Sequence, residues 1–203
     1  MNSGLARAAA GLVALAAWTG LAIQLDASTR LTGSLPDALW VMLRYFTILA
    51  NLSIAGLFSA VAMGSRAAAR PALLAGITLI ILLVGVVYGL LLRGLLDLSG
   101  GARLADTILH KVTPIIVTLW WLLFAPKRGL RYGHAIVWAL PPLAYLGYAL
   151  WRGGRDGIYA YPFINVAKLG MTQVLINAAL IGAGFVAAGL ALVWLSRQVA
   201  KAG

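Results

Sequence analysis

The chain has 203 residues, 62% of them hydrophobic and 10% charged, with a mean hydropathy of +0.94; a soluble domain of this size cannot hide that much apolar surface, so lipid must replace water around much of it. The lack of cysteine excludes disulfides, thiol catalysis and cysteine-ligated metals. The formal charge of +11 is scattered through every loop, which reads as membrane orientation and attraction to anionic headgroups and excludes a one-sided nucleic-acid footprint.

Six apolar segments approach the ~20 residues that a helix needs to cross a bilayer. They are Leu5–Gln24, Pro36–Met63, Pro71–Leu92, Thr107–Phe124, Gly133–Trp151 and Met171–Leu195. The first, with Arg7 before an Ala/Leu-rich run, has the look of a signal peptide but is taken as a span. The sequence holds no long polar segment, low-complexity tract or internal repeat, and its longest connectors are Asp97–Asp106 and Arg152–Gly170. The expectation is an all-α polytopic membrane protein: a six-transmembrane-helix bundle forming a single domain over residues 1–203.

Loop charge orients this bundle. One side carries Arg7, Arg66, Arg70, Lys127, Arg128, Arg131, Arg197 and Lys201 and no acid. The other carries Arg30, Arg93, Arg103, Arg152, Arg155 and Lys168 with all five acids, Asp26, Asp37, Asp97, Asp106 and Asp156. The positive-inside rule puts the acid-free side, and with it both termini, in the cytoplasm. Thr47, His110 and the loop bearing Tyr161, Asn165 and Lys168 then fall near the outer surface, at similar depth.

Polar groups at such depth are costly unless they have partners or a role. A helix turns about 100° per residue, so Arg44, Thr47 and Asn51 fall in one narrow arc and Asp106, His110, Thr113 and Val117 in another. If the arcs face each other, His110 is within reach to deprotonate the Thr47 hydroxyl, and Asp106, one turn earlier, to orient the imidazole. Asn51, Lys111 or backbone donors would face a developing oxyanion. Pro114 cannot donate to the carbonyl four residues back, that of His110, and so kinks the helix or frees an acceptor beside the base. Each residue also has a plainer role. Membrane threonines bond their own helix backbone, histidines sit at helix mouths, and Arg44 and Lys111 can snorkel to headgroups. His134 lies at the far end of the fifth segment and cannot share a metal or haem with His110, while Asp106 and His110 alone are too few ligands for a metal site.

The run Tyr45-Phe46-Thr47-Ile48-Leu49-Ala50-Asn51, then His110 with Pro114, then Trp121-Leu122-Leu123-Phe124, then Tyr161-Pro162-Phe163 is more specific than any one motif. In this order and spacing the chain resembles the family of androgen-induced membrane proteins, which includes the androgen-dependent TFPI-regulating protein, and especially its bacterial relatives. The likeness covers the second to sixth apolar segments. Eukaryotic members are lipid hydrolases that cleave fatty acid esters of hydroxy fatty acids with a membrane-embedded threonine and a histidine, which fall here on Thr47 and His110. The spacing from His110 to the proline is about one residue shorter than in the animal proteins, and Trp120 stands where bacterial relatives often have aspartate.

The resemblance implies an intramembrane lipid-ester hydrolase of a bacterial inner membrane, with Thr47 as nucleophile and His110 as base; Asp106 and Asn51 support them by the spacing argument above. Arg44, Lys111, Tyr161, Asn165 and Lys168 are the candidate substrate-binding residues, a membrane lipid or fatty-acid ester the partner, with no metal, organic cofactor or nucleic acid required. The alternatives are a non-catalytic lipid-binding or lipid-transporting protein and a structural subunit of a membrane complex.

Overall fold

The structure, a computed structural model, describes residues 4–95 and 97–202, with side chains up to residue 200, so the side chain of Lys201 lies outside the described residues. The described chain is helical. In order come α1 (Gly4–Thr32), α2 (Leu35–Met42), α3 (Phe46–Ala62) and α4 (Pro71–Val87), which runs on into a π-helical turn (Tyr88–Leu92). Next are α5 (Gly100–Thr107), a second π-helical turn (Ile108–Val112), α6 (Thr113–Phe124), α7 (Gly133–Asp156), a short 3-10 turn (Pro162–Ile164) and α8 (Val166–Ala202).

The six-span expectation is corrected. Among the described residues four helical stretches are long and apolar enough to cross a membrane: Gly4–Thr32, Pro71–Leu92, Gly100–Phe124 and Val166–Ala200. A fifth is reached only if α2 and α3, which meet at 99°, are counted as one broken span. The expected second segment thus folds as two helices, of 8 and 17 residues. A bilayer of ~30 Å calls for about 20 helical residues at ~1.5 Å each, so neither piece suffices alone. The expected fifth segment is a single 24-residue helix, but Pro141, Pro142, His134 and a buried Arg152 dilute its apolar character. With that count the expected placement of both termini in the cytoplasm loses its basis.

Local chemistry explains several boundaries. Ser34 caps α2: its hydroxyl accepts from the Asp37 N–H at 3.3 Å and donates to the Asp37 carboxylate at 2.5 Å, with Pro36 in the first turn. Lys127 ends α6 by donating to the carbonyls of Trp121, Leu122 and Ala125, with its ammonium 4.1 Å from the Trp121 ring centroid. Burial there lowers the Lys127 pKa from its ordinary value. Gly157 closes α7 in the left-handed conformation, φ 73°, its N–H donating to the Gly153 carbonyl.

The chain divides into two compact units, Met1–Gly129 and Leu130–Gly203. In the first, α1 packs along α3 and also touches α2, α5, α6 and the second π turn, while α4 packs on α3 and α6. Its core includes Ala10, Ala17, Ile54, Phe58, Leu74, Ile81, Leu109 and Val117. In the second unit, α7 packs on α8 and the 3-10 turn around Ala149, Ile164 and Val174. Arg152 is buried there and donates to the Tyr148 hydroxyl at 2.7 Å.

Close approach of α1 to the second π turn needs a missing side chain. A Cβ on Gly20 would lie 2.8 Å from both Ile108 Cγ2 and Leu109 Cδ2. Gly20→Ala should therefore overpack the contact and cost about 1–3 kcal/mol, seen as a lower melting temperature in detergent. An unchanged melting temperature would show that α1 does not seat the π turn.

Candidate functional site

Thr47 owes its availability to the break between α2 and α3. Tyr45 is extended, φ −98° and ψ 130°, and caps a helix that starts at Phe46, so Thr47 stands in the first turn. A threonine inside a helix satisfies its hydroxyl on the carbonyl four residues back. Thr29, Ser53, Ser59, Thr78, Thr118 and Ser196 all do so, at 2.7 to 2.9 Å. Thr47 has no preceding turn of its own helix to bond. Its hydroxyl instead meets Nε2 of His110 at 3.1 Å, joining positions 63 residues apart.

His110 lies within the second π turn, where one extra residue per turn re-aims the side chains. Pro114 is the local cause: lacking an N–H, it cannot continue the regular ladder. The chain meets it with the wider turn, in which the Thr113 N–H and hydroxyl both return to the Ile108 carbonyl. Thr113 is thereby committed to the turn and does not join the polar pair. Nδ1 of His110 lies 3.1 Å from the Asp106 carbonyl and 3.0 Å from Asp106 Oδ1. Both partners are acceptors, so the network assigns the proton to Nδ1 and leaves the Nε2 lone pair for the Thr47 hydroxyl. The pair is largely enclosed, with Thr47 5% exposed and the His110 side chain 17%. Hydroxyl, imidazole and carboxylate thus stand in the order of a nucleophile, its base and the group that orients the base.

Asn51 is fully buried, and its role differs from the expected oxyanion donor. Its amide Nδ2 donates to the Thr47 carbonyl at 2.9 Å and the Leu109 carbonyl at 3.2 Å, which locks α3 onto the π turn. Both donors are used, and Oδ1 has no partner. Arg44 is buried at the break and lies outside α3, so it does not share the helical face that periodicity assigned to it. Lys111 is exposed, its ammonium 5.8 Å from the centroid of the Tyr88 ring.

Trp120 lies ten residues beyond His110, about 15 Å along a helix. It packs edge-on against Phe58 and donates to the Ala6 carbonyl at 3.0 Å. The carboxylate at His110 comes from Asp106. Tyr161, Asn165 and Lys168 belong to the second unit. There Tyr161 stacks on Phe163 with centroids 5.2 Å apart, Asn165 Oδ1 accepts the Lys168 N–H at 3.1 Å as α8 begins, and the Lys168 side chain is exposed.

Tyr88 is the residue that sequence reasoning missed. Its hydroxyl donates to Asp106 Oδ2 at 2.5 Å and its ring stacks on His110, centroids 4.3 Å apart and planes 19° apart. A tyrosine near the end of an apolar segment reads as an interfacial anchor, so no sequence signal marked it. Among the described residues no cluster of three or more potential ligands stands ready for a metal. Comparison with models of known protein families, with curated proteins and with solved structures gives no match.

The Asn51 crossing makes a direct prediction. Asn51→Leu keeps the volume but deletes both donors, and should destabilise the protein by about 1–3 kcal/mol, measured as a lower melting temperature in detergent. Melting at the wild-type temperature would show that this bond does not hold α3 to the π turn.

Proposed function

We propose that this protein is an intramembrane lipid-ester hydrolase in which Thr47 is the nucleophile, His110 the general base and then acid, and Asp106 the group that orients the imidazole. The observation that carries the reading is the 3.1 Å contact between the Thr47 hydroxyl and His110 Nε2, with Asp106 on the opposite ring nitrogen. The resemblance to threonine-dependent hydrolases of the androgen-induced family, whose threonine and histidine fall on Thr47 and His110, agrees with it.

Thr47 Oγ1 attacks the ester carbonyl carbon while its proton passes to Nε2. This end of α3 carries positive partial charge, which suits the oxyanion that develops beside Thr47. Collapse of the tetrahedral intermediate breaks the bond to the alcohol oxygen, which leaves with the proton from Nε2. Water then adds to the acyl-threonine and gives a proton to Nε2. The second collapse releases the fatty acid and returns that proton to Thr47. The apolar helices around the site favour long-chain esters, with fatty acid esters of hydroxy fatty acids as the substrate class that the resemblance implies. Lys111 and Arg44 are the cations suited to a substrate carboxylate. A bacterial inner membrane is the setting that the same resemblance implies.

Turnover of a long-chain branched fatty-acid ester in detergent tests the reading. Thr47→Ala and His110→Ala should each lower kcat by about a thousandfold or more, and the double variant should be hardly worse, since a nucleophile and its base act as one unit. Thr47→Ser, which keeps the hydroxyl, should retain measurable activity. Wild-type turnover by folded Thr47→Ala protein would refute Thr47 as the nucleophile, and no turnover by the wild-type protein would favour a lipid-binding role.

A further inference from the structure

The catalytic reading uses Thr47, His110 and Asp106, and leaves Tyr88 without a task. Two contacts bind Tyr88 to this group at once. Its hydroxyl occupies Asp106 Oδ2 at 2.5 Å, leaving Oδ1 for His110 Nδ1 at 3.0 Å. Its ring covers one face of the imidazole at 4.3 Å. An imidazole held only at its two nitrogens can still rock about its long axis, and a carboxylate held only by the imidazole can turn away. The tyrosine restrains both.

The backbone brings Tyr88 there by two devices. Gly85, one turn earlier on α4, lets the helix lie against α6 and the second π turn: a Cβ at Gly85 would stand 3.1 Å from Pro114 Cβ and 3.6 Å from the His110 carbonyl oxygen. Tyr88 then opens the first π turn, closed by the Arg93 N–H returning to the Tyr88 carbonyl at 2.9 Å. A π turn forfeits regular hydrogen bonding and often marks a site where a side chain must be re-aimed. Here two such turns present Tyr88 and His110 to each other.

We propose that Tyr88 is a positioning residue for His110. It fixes the Asp106 carboxylate and the imidazole plane together, so that Nδ1 keeps its proton and Nε2 stays open to the nucleophile. The catalytic consequence rests on the hydrolase reading, whereas the consequence for the imidazole proton does not.

The test pairs two measurements on wild type, Tyr88→Phe and Tyr88→Leu. The chain has only two histidines, so ¹⁵N NMR of the histidine-labelled protein resolves His110 once His134→Gln identifies the other ring. Wild-type His110 should be almost wholly the Nδ1–H tautomer. Tyr88→Leu should give a tautomer mixture, and Tyr88→Phe, which keeps the stack and loses the hydroxyl, a smaller shift in the same direction. In ester turnover, Tyr88→Phe should lower kcat about tenfold with KM unchanged, the effect of one lost hydrogen bond. Tyr88→Leu should lower it about a hundredfold, the effect of a misplaced base. A wild-type tautomer population in the folded Tyr88→Phe and Tyr88→Leu proteins would overturn the proposal; if Tyr88→Leu does not fold, an unmoved tautomer and kcat in Tyr88→Phe overturn it alone. Should Thr47→Ala prove active, Thr47 is not the nucleophile, and the tautomer comparison still decides the role of Tyr88.

Discussion

In the hydrocarbon interior no water is present to satisfy a backbone N–H or C=O, so any interruption of a helix must be covered by protein. The first unit of this chain interrupts its helices three times in one neighbourhood: the 99° break before α3, the π turn at Tyr88–Leu92 and the π turn at Ile108–Val112. Thr47 follows the first, Tyr88 opens the second and His110 lies in the third, and the three side chains touch. The interruptions are tolerable because they cover one another. Asn51 donates across the gap from α3 to the Leu109 carbonyl of the turn, and Gly20 and Gly85 admit the neighbouring helices.

This arrangement gives a hydroxyl a different environment from the others in the chain. The mid-helix serines and threonines spend their protons on carbonyls four residues back, which satisfies them and renders them inert. A threonine in the first turn of a helix has no such carbonyl. It must find a partner on another element, and here the partner is an imidazole already oriented by a carboxylate. The start of a helix also carries positive partial charge, so the position that frees a nucleophile favours the negative charge that its attack would create. Backbone breakage and chemical competence are two aspects of one local structure.

The polar pair was legible in the sequence because polar residues at helical spacing in apolar segments stand out. The i, i+4 relation of Asp106 and His110 survives in the structure as the contact at Nδ1. What periodicity could not carry was the backbone. Leu43, Arg44 and Tyr45 include no glycine or proline, so nothing in the run Pro36–Met63 announces a right-angled break. Long-range contacts of Thr47 and Asn51 hold it, and these are invisible in a linear pattern. The same limit misassigned Arg44 to the α3 face and Thr113 to the pocket, since a constant 100° step fails at a break and at a π turn. The fifth segment has the length of a span, but α7 carries two prolines and runs on through a buried arginine, and it is not apolar enough to count as one. Tyr88 escaped notice for the opposite reason: it looks like an ordinary interfacial tyrosine.

The account turns on whether Thr47 is the atom that attacks. Treating the detergent-solubilised protein with a fluorophosphonate probe, digesting it and locating the adduct by tandem mass spectrometry answers this directly. The account predicts a phosphonyl group on Thr47, formed in wild type and lost in His110→Ala, where the hydroxyl has no base. An adduct on a different hydroxyl, or one on Thr47 that forms equally fast without His110, would contradict it.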